Sequence, residues 1–321
     1  MNVFLFILSS NIIPIFTLIM FGYVLSKKFD LNINTLTKLN FYIFAPSFTF
    51  VNLYTTKISN EMTKVILVAI LIILTNMMVA FFVSKVRKYD EGMKNAFANS
   101  ILFYNTGNIG IPLITLVFSS DPFVINGETP YLAVALTAQI MILVVQDVTT
   151  NTLGFLNAAR AKTTWKEAVV KVLKMPTIYV LPTALILKNL SYDIGKIPLW
   201  PALKYASNAL VPIALITLGV QLAKTTIRFD NKEVYLSTAI RLFGGTLLAL
   251  LFIKVMNIEG VIAQVLMIST SVPTAVTTAL IAVEYDNYPD FASQAVMTST
   301  LLGSISLVFI IYISRILFPI S

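Results

Sequence analysis

The stretch AFANSILFYNTGNIGIPLITLVF, residues 96–118, decides how this sequence is interpreted. It is long and apolar enough to enter a membrane, yet residues 105–112 at its centre include two asparagines, two glycines and a proline. These residues weaken a helix or are costly in hydrocarbon, and non-helical backbone at membrane depth persists only inside protein or beside a water-filled cavity. The pattern predicts a half-helix over about 95–104, an unwound crossing and a second half-helix that starts near Gly110.

The composition places the whole chain in a membrane. Of its 321 residues, 57% are hydrophobic and 12% are charged, whereas soluble domains have about 25% charged residues. The sequence contains no Cys and no His, which excludes thiol nucleophiles, imidazole bases and the usual zinc or haem ligands. We therefore expect neither a cofactor nor a metal. The net charge of +8 is better explained by basic cytoplasmic loops than by a nucleic-acid partner.

Apolar segments of membrane-spanning length recur along the chain. A spanning helix needs about 20 mainly apolar residues, and on this criterion we expect an all-α polytopic membrane protein with ten spans and short connections. The predicted spans are 3–25, 36–56, 64–84, 95–119, 130–152, 170–188, 200–222, 234–255, 260–284 and 291–317. The first span has no basic leader or small-residue cleavage site, which predicts a retained helix.

Basic residues concentrate in alternate loops and indicate the orientation in the membrane. The loops after predicted spans one, three, five and seven hold most of the 23 basic residues, whereas residues 121–128 contain only acidic charges, Asp121 and Glu128. The basic loops are expected in the cytoplasm, which places both termini outside a multi-pass protein of the cytoplasmic membrane. The acidic loop after span nine does not fit, but acidic residues contribute little to this rule.

Matching interruptions divide the chain into two halves. Pro46 and Pro212 lie inside spans two and seven, and the same separation relates Asn105 to Ser271 in the second interrupted span, VLMISTSVPTAVTTALIAV, residues 265–283. Halves of five spans each have opposite orientations, and broken helices at matching positions of inverted halves indicate the midplane site of a transporter. The predicted units are a first repeat over 1–155, a cytoplasmic link over 156–169 and a second repeat over 170–321.

These motifs resemble the auxin efflux carrier family, the PIN-like carriers and their bacterial relatives, over nearly the whole chain. The matching residues are Asn105-Thr106, Gly110-Ile111-Pro112-Leu113, Gln139, Pro273, Glu284-Tyr285, Pro289-Asp290 and Ala295-Val296. The resemblance implies a ten-helix carrier in which spans 1, 2, 6 and 7 form a scaffold. Spans 3–5 and 8–10 would form a transport domain, with spans four and nine crossing at their breaks. It also implies homodimers, and substrates such as malate, malonate or auxin.

Asn105 is the first candidate for substrate contact. Its amide donates and accepts hydrogen bonds without the cost of a charge, and the half-helix beyond it presents a partial positive charge that suits a carboxylate. The resemblance implies the same role, while capping of the broken helix is the alternative. Asn108 is a further candidate for which a cap is the simpler interpretation. Gly110 and Pro112 are expected to shape the site rather than to bind.

The second interrupted span and its neighbours supply the other uncharged candidates. Ser271, Pro273 and Thr274 form the predicted break, with an ordinary proline kink as the alternative. Gln139 lines the cavity or bonds across helices. Thr49 reaches the site if Pro46 bends its helix, and a purely structural kink is the alternative there.

Arg241 and Asp147 are the charged candidates. An arginine in hydrocarbon usually faces a cavity or a partner, and snorkelling to the cytoplasmic surface is the alternative. The resemblance implies an acid in span three as its partner, but the sequence has Asn76 there, which cannot titrate. We therefore expect no proton coupling at that position and predict that Arg241 attracts an anion. Asp147 is another candidate acid, although an interfacial carboxylate is the simpler interpretation.

The leading interpretation is a secondary transporter that moves a small organic anion through the lipid bilayer by alternating access. An anion-selective channel and a transporter-like sensor without flux are the alternatives. A channel usually shows rings of charge, which the sequence lacks. An intramembrane enzyme is disfavoured, because acidic residues and lysines within the predicted spans do not cluster.

Overall fold

A computed structural model describes residues 3–57, 59–159, 165–189, 193–225 and 230–320. Within these ranges the chain forms helices joined by short turns, with isolated bridges in place of any strand. The helices are α1 (Val3–Lys28), α2 (33–55), α3 (Glu61–Arg87), α4 (Glu91–Leu102), α5 (Thr106–Phe118), α6 (Leu132–Ala159), α7 (Trp165–Leu173), α8 (Pro176–Lys188), α9 (Trp200–Ala223), α10 (Lys232–Val255), α11 (Gly260–Ser269), α12 (Val276–Glu284) and α13 (Pro289–Leu317).

Six of these helices are long and apolar enough to cross a membrane: α1, α3, α6, α9, α10 and α13. Several shorter helices are apolar as well, including α5, α8 and α11. The chain is therefore an all-α, polytopic membrane protein. Many apolar side chains on the long helices, such as Phe81 and Phe82 on α3, are more than half exposed, as expected of a surface that faces lipid.

The described helices other than α7 fall into two packing groups. The support group consists of α1, α2, α8 and α9, which pack on one another. The crossing group consists of α3–α6 and α10–α13, in which α6 packs against α3, α5 and α11, and α13 packs against α10, α11 and α12. These groups contain the same segments as the scaffold and the transport domain that the family resemblance implies.

Two glycines bring α1 and α9 into direct backbone contact. A Cβ on Gly22 would overlap the carbonyl oxygen of Ile216, and a Cβ on Gly219 would overlap the carbonyl oxygen of Ile19. Small residues allow this close approach between membrane helices, where dispersion contacts replace the hydrophobic effect as the source of stability. This close backbone contact joins α1 to α9 within the support group.

Three prolines follow π-helical turns. The turns Leu8–Ile12, Asn40–Phe44 and Thr106–Gly110 each end two residues before Pro14, Pro46 and Pro112, respectively. Proline lacks an N–H donor and clashes with the carbonyl one turn earlier, and the wider π turn accommodates both effects. The helix around Pro46 therefore continues over 33–55 without a break.

The structure shifts two predicted boundaries towards the C-terminus, since the helix of the sixth span begins at Pro176 rather than at residue 170 and the fifth span ends later. α6 continues to Ala159, beyond the predicted end of span five at residue 152. Phe155, Ala158 and Ala159 are buried there, and Asn99 on α4 donates to the carbonyl oxygen of Gly154 at 2.8 Å. Packing against α4 thus extends the helix, whereas hydropathy alone ends it earlier. Residues 160–164 of the predicted cytoplasmic link lie outside the described residues.

Candidate functional site

The breaks predicted in spans four and nine are both present, and they pair with each other. The N–H of Asn105 donates to the carbonyl oxygen of Pro273 at 2.8 Å, and the N–H of Ala275 donates to the carbonyl oxygen of Phe103 at 2.9 Å. Tyr104 and Thr274 form an antiparallel bridge between these bonds. Each break satisfies backbone groups of the other, which is the condition for unwound backbone at membrane depth.

The second half-helix opens with one π turn, Thr106–Gly110, and its regular α-helix begins at Ile111, which agrees with the predicted start near Gly110. The side-chain oxygen of Asn105 accepts the N–H of Asn108 at 3.1 Å, and the N–H of Gly110 donates to the carbonyl oxygen of Asn105 at 2.9 Å. An asparagine cap starts a helix directly after itself, and this outweighs the weak helix propensity of the glycines.

At the crossing, the side-chain oxygens of two buried amides accept hydrogen bonds from the described residues, whereas their nitrogens donate none to them. The Asn105 oxygen accepts the N–H of Asn108, and the Gln146 oxygen accepts the N–H of Tyr104 at 3.2 Å. These bonds assign the orientation of both amides. Nδ2 of Asn105 and Nε2 of Gln146 have no hydrogen-bond partner in the described part of the chain. An unpaired buried donor costs about 1–3 kcal/mol, so an acceptor from a ligand would be stabilised there.

Both amides belong to the wall of a cavity of about 310 Å³ between the two helix groups. The support group contributes Thr37, Asn40, Phe41, Ala45, Thr177, Leu210, Thr217 and Gln221. The crossing group contributes Tyr104, Asn105, Thr106, Gly107, Asn108, Ile111, Leu143, Gln146, Asp147, Thr150, Asn151, Ala275, Val276, Thr277 and Leu280. A ligand in this cavity would contact both groups at once.

Two helix N-termini contribute to the cavity wall. Residues 106–108 open α5, and Val276 and Thr277 open α12. The first turn of a helix has N–H groups without intrahelical partners and a partial positive charge. Together with the free amide nitrogens, these helix starts contribute hydrogen-bond donors and partial positive charge to the crossing.

Arg241 lies behind the crossing. Its side chain is fully buried, Nη1 donates to the carbonyl oxygen of Ile101 at 2.6 Å, and Nη2 donates to the carbonyl oxygen of Thr270. These carbonyls close the C-terminal ends of α4 and α11, where partial negative charge collects. The guanidinium carbon lies 4.6 Å from the ring centroid of Tyr104, so Arg241 approaches the cavity wall only through that ring.

The comparison with known proteins agrees with this architecture. The profile of the family described as membrane transport protein matches residues 7–167 and 166–311. The chain belongs to this family, which includes the auxin efflux carriers. A relative from Methanothermobacter thermautotrophicus, described as an uncharacterized transporter, is 22% identical over 310 residues, covering 93% of this chain and 96% of the relative. The resemblance drawn from the motifs is thereby confirmed, and the chain is a multi-pass membrane transport protein.

In this family member, Asn105 and Asn108 are the predicted site residues that line the cavity. Gln139 and Gly110 lie outside the cavity wall and contact the segment that contains Asn105 and Asn108. Nε2 of Gln139 donates to the carbonyl oxygen of Thr106 at 3.0 Å, its oxygen accepts from the Ser269 hydroxyl, and a Cβ on Gly110 would overlap Nε2 of Gln139. Gln139 thus bonds across helices, one of its two predicted roles, and holds the start of α5.

The remaining predicted residues lie outside the cavity wall. Thr274 donates from its hydroxyl to the carbonyl oxygen of Ser100 at 2.8 Å, and the Ser271 hydroxyl lies 2.6 Å from that of Thr246. Both side chains hold the crossing together. The other predicted residues outside the cavity wall are Pro112 near the start of α5, Pro273 in the break, Thr49 buried in α2, and Arg241.

Further wall residues were not among the predicted substrate-binding residues. Gln146 and Asp147 lie in the wall, and Asp147 had been a candidate acid with an interfacial carboxylate as its simpler interpretation. Gln146 follows Gln139 by two helical turns, so both lie on one face of an otherwise apolar span, and that spacing was a usable signal. Asn40 and Thr217 join α2 to α9 through a 3.1 Å hydrogen bond, and no local sequence pattern marks that pair.

Proposed function

We propose that this membrane transport protein is a secondary transporter of a small organic anion, such as malate, malonate or an auxin-like acid. The supporting observation is the pair of unpartnered amide nitrogens of Asn105 and Gln146 in a wall that also contains the starts of α5 and α12. A carboxylate has only acceptor atoms, and hydrogen bonds to a charged acceptor are about twice as strong as neutral ones. These donors favour a carboxylate over a cation or an amine.

The proposed movement is alternating access between the two helix groups. The cavity lies between them. In the support group, α9 contacts the first turn of α5, and α2 contacts α6. Displacement of one group against the other would open this boundary to either side. The backbone contact between α1 and α9 favours a rigid support group, with the crossing group as the moving part.

We also propose that the chain consists of two inverted repeats with ten spans and that both termini lie outside the cytoplasmic membrane. The pairing of the breaks supports this symmetry, because each break donates one N–H and accepts one. Such reciprocal exchange is expected where two equivalent segments meet across a two-fold axis. The alternating basic loops support the orientation.

Thermal unfolding of the purified protein tests the anion assignment. Malate, malonate, lactate, citrate and indole-3-acetate are each titrated, since a ligand that binds the native state raises the midpoint with concentration. At least one should stabilise the wild type but not Asn105→Ala. Asn52→Ala is the matched control, because Asn52 lies outside the cavity wall and bonds only its own helix. The assignment fails if neutral solutes or cations stabilise the protein and none of the carboxylates does.

Flux measurements in proteoliposomes separate a carrier from a channel. A carrier shows a saturable rate with anion concentration and exchange of external for internal anion. An anion channel instead gives a current that rises in proportion to voltage. The carrier assignment is wrong if the stabilising anion crosses the membrane as such a current.

A further inference from the structure

Asp147 gives the cavity a feature that binding of an anion does not by itself explain. Among the described residues that form the wall, Asp147 is the one with a charge, and Tyr104 is the other titratable side chain. No hydrogen bond or ion pair reaches the carboxylate of Asp147 from the described residues. A site for an anion thus contains a carboxylate of its own, and the part of the wall that the structure describes has no basic side chain.

Among the side chains that the structure describes, those on the helices around Asp147 supply no cation at its depth. The segments packed on Leu132–Thr149 without any titratable side chain are Thr106–Gly110, Ile111–Phe118, Thr150–Gly154 and Gly260–Ser269. Ala45–Thr55 carries only Tyr54, and Glu61–Arg87 has its charges, Glu61, Lys64, Lys85 and Arg87, at its two ends. α7 packs on the next turn of α6, and its charged residues with described side chains, Lys166 and Glu167, are both exposed.

An anion held at the crossing would lie beside this carboxylate. Gln146 directly precedes Asp147, and its side chain reaches the N–H of Tyr104 next to Asn105. An anion that accepts from the free nitrogens of Asn105 and Gln146 therefore shares one small cavity with Asp147. Two like charges in a partly dehydrated site repel strongly, and the usual solution is that one of them takes up a proton.

We propose that Asp147 binds a proton together with the anion, so that the transporter moves both in the same direction. This inference rests on the proposed function. The carboxylate takes one proton from solution as the anion enters and returns it to solution on the other side, and no bond of the anion is broken. The neutral acid also provides an O–H donor, which adds to the donors of the two amides.

A proton fits Asp147 better than a metal ion does. Among the described residues, no group of three or more acidic side chains is placed to hold a metal, and a lone carboxylate is a weak metal ligand but a complete site for a proton. Proton coupling through α3 was not expected, because Asn76 occupies the position where the family resemblance implies an acid. Asp147 provides a titratable acid on a different helix, α6.

Calorimetry counts the protons directly. Malate, lactate and indole-3-acetate are each titrated into the detergent-purified protein at about pH 7.5, in two buffers with different ionisation enthalpies. The wild type should take up about one proton for each anion bound, and its affinity should fall about tenfold per pH unit in the range where Asp147 is ionised without ligand. Asp147→Asn should still bind the anion, without proton uptake and without this pH dependence.

Two further variants control for structural effects. Asp147→Glu keeps a titratable acid and should keep the proton uptake, whereas Asp121→Asn removes an exposed carboxylate in the α5–α6 loop and should behave like the wild type. Thermal unfolding and size-exclusion profiles are compared first, so that a misfolded variant is recognised. If Asp147→Asn does not fold, two measurements still test the role of Asp147. They are the number of protons that Asp147→Glu takes up for each anion bound and the requirement of the wild type for sodium.

The outcomes separate this inference from the proposed function. Binding of an anion without proton uptake in the wild type, undiminished uptake in Asp147→Asn, or a strict requirement for sodium overturns the role of Asp147 and leaves the anion transporter standing. If none of the three anions binds to the wild type, the proposed function is overturned. The proton-binding role of Asp147 is then overturned as well, because it rests on that function. In proteoliposomes, an inward proton gradient should drive accumulation of the bound anion by the wild type and not by Asp147→Asn.

Discussion

The guanidinium of Arg241 lies 4.6 Å from the ring centroid of Tyr104, which places a buried positive charge behind the wall of the cavity. The same guanidinium bonds the carbonyls of Ile101 and Thr270 at the ends of α4 and α11. The partial negative ends of these half-helices are thus compensated inside the protein, while the partial positive ends of α5 and α12 contribute to the cavity wall. This arrangement separates the two polarities of the broken helices.

Replacement of Arg241 should therefore loosen the crossing. Arg241→Met leaves the carbonyls of Ile101 and Thr270 without their donors, and each unpaired buried carbonyl costs about 1–3 kcal/mol. We expect a lower midpoint of thermal unfolding and weaker anion binding as a consequence of the altered crossing. Arg241→Lys should be intermediate, because one ammonium replaces the two-nitrogen fork of the guanidinium.

Lys254→Met is the matched control for Arg241, since it removes an exposed cation in the last turn of the same helix. It should leave both the midpoint and anion binding unchanged. An Arg241→Met variant with the stability of the wild type would show that the half-helix ends need no internal cation.

Gly219→Ala should destabilise the support group. The added methyl group would overlap the carbonyl oxygen of Ile19, and backbone on both sides leaves no flexible side chain to move away. Overpacking of this kind costs about 1–3 kcal/mol or more. The expected result is a lower midpoint of thermal unfolding and a smaller yield of monodisperse protein.

Gly244→Ala tests whether this effect is specific to the close contact. A Cβ there would meet Ile240 at 3.5 Å, an ordinary van der Waals distance, and the helical backbone suits alanine. This variant should be as stable as the wild type. Equal losses in both variants would show that the backbone contact between α1 and α9 is not what stabilises the support group.

The elements of this fold follow from short-range properties of the sequence. Apolar runs of membrane-spanning length predict the long helices, and the cluster of Asn105, Gly107, Gly110 and Pro112 predicts a break because each residue disfavours a continuous apolar helix. The π turn that precedes Ile111 was not predicted, because a glycine signals weak helix propensity while the cap made by Asn105 depends on a hydrogen bond to Asn108. Propensity is visible in a sequence, and a particular hydrogen bond is not.

The composition of the site depends on contacts between distant segments. The partners of Arg241 are backbone carbonyls, which every residue possesses and no sequence pattern identifies. The bond from the Tyr104 N–H to Gln146 joins two spans and frees the amide nitrogen. The sequence thus predicted where the helices break, while only the structure shows which side chains remain unpaired around the break.

Gln146 should contribute to anion binding as a direct donor. Gln146→Met keeps the length and apolar body of the side chain but removes its N–H donors, and a hydrogen bond to a charged group contributes about 1.5–3 kcal/mol. The dissociation constant of the stabilising carboxylate should therefore rise by roughly 10- to 100-fold, measured by calorimetry at constant pH. Gln264→Met is the matched control, because Gln264 is buried outside the cavity and donates to the carbonyl oxygen of Phe318 at 2.7 Å. It should lower the unfolding midpoint and leave the dissociation constant unchanged, whereas equal weakening of binding in both variants would place the anion away from Gln146.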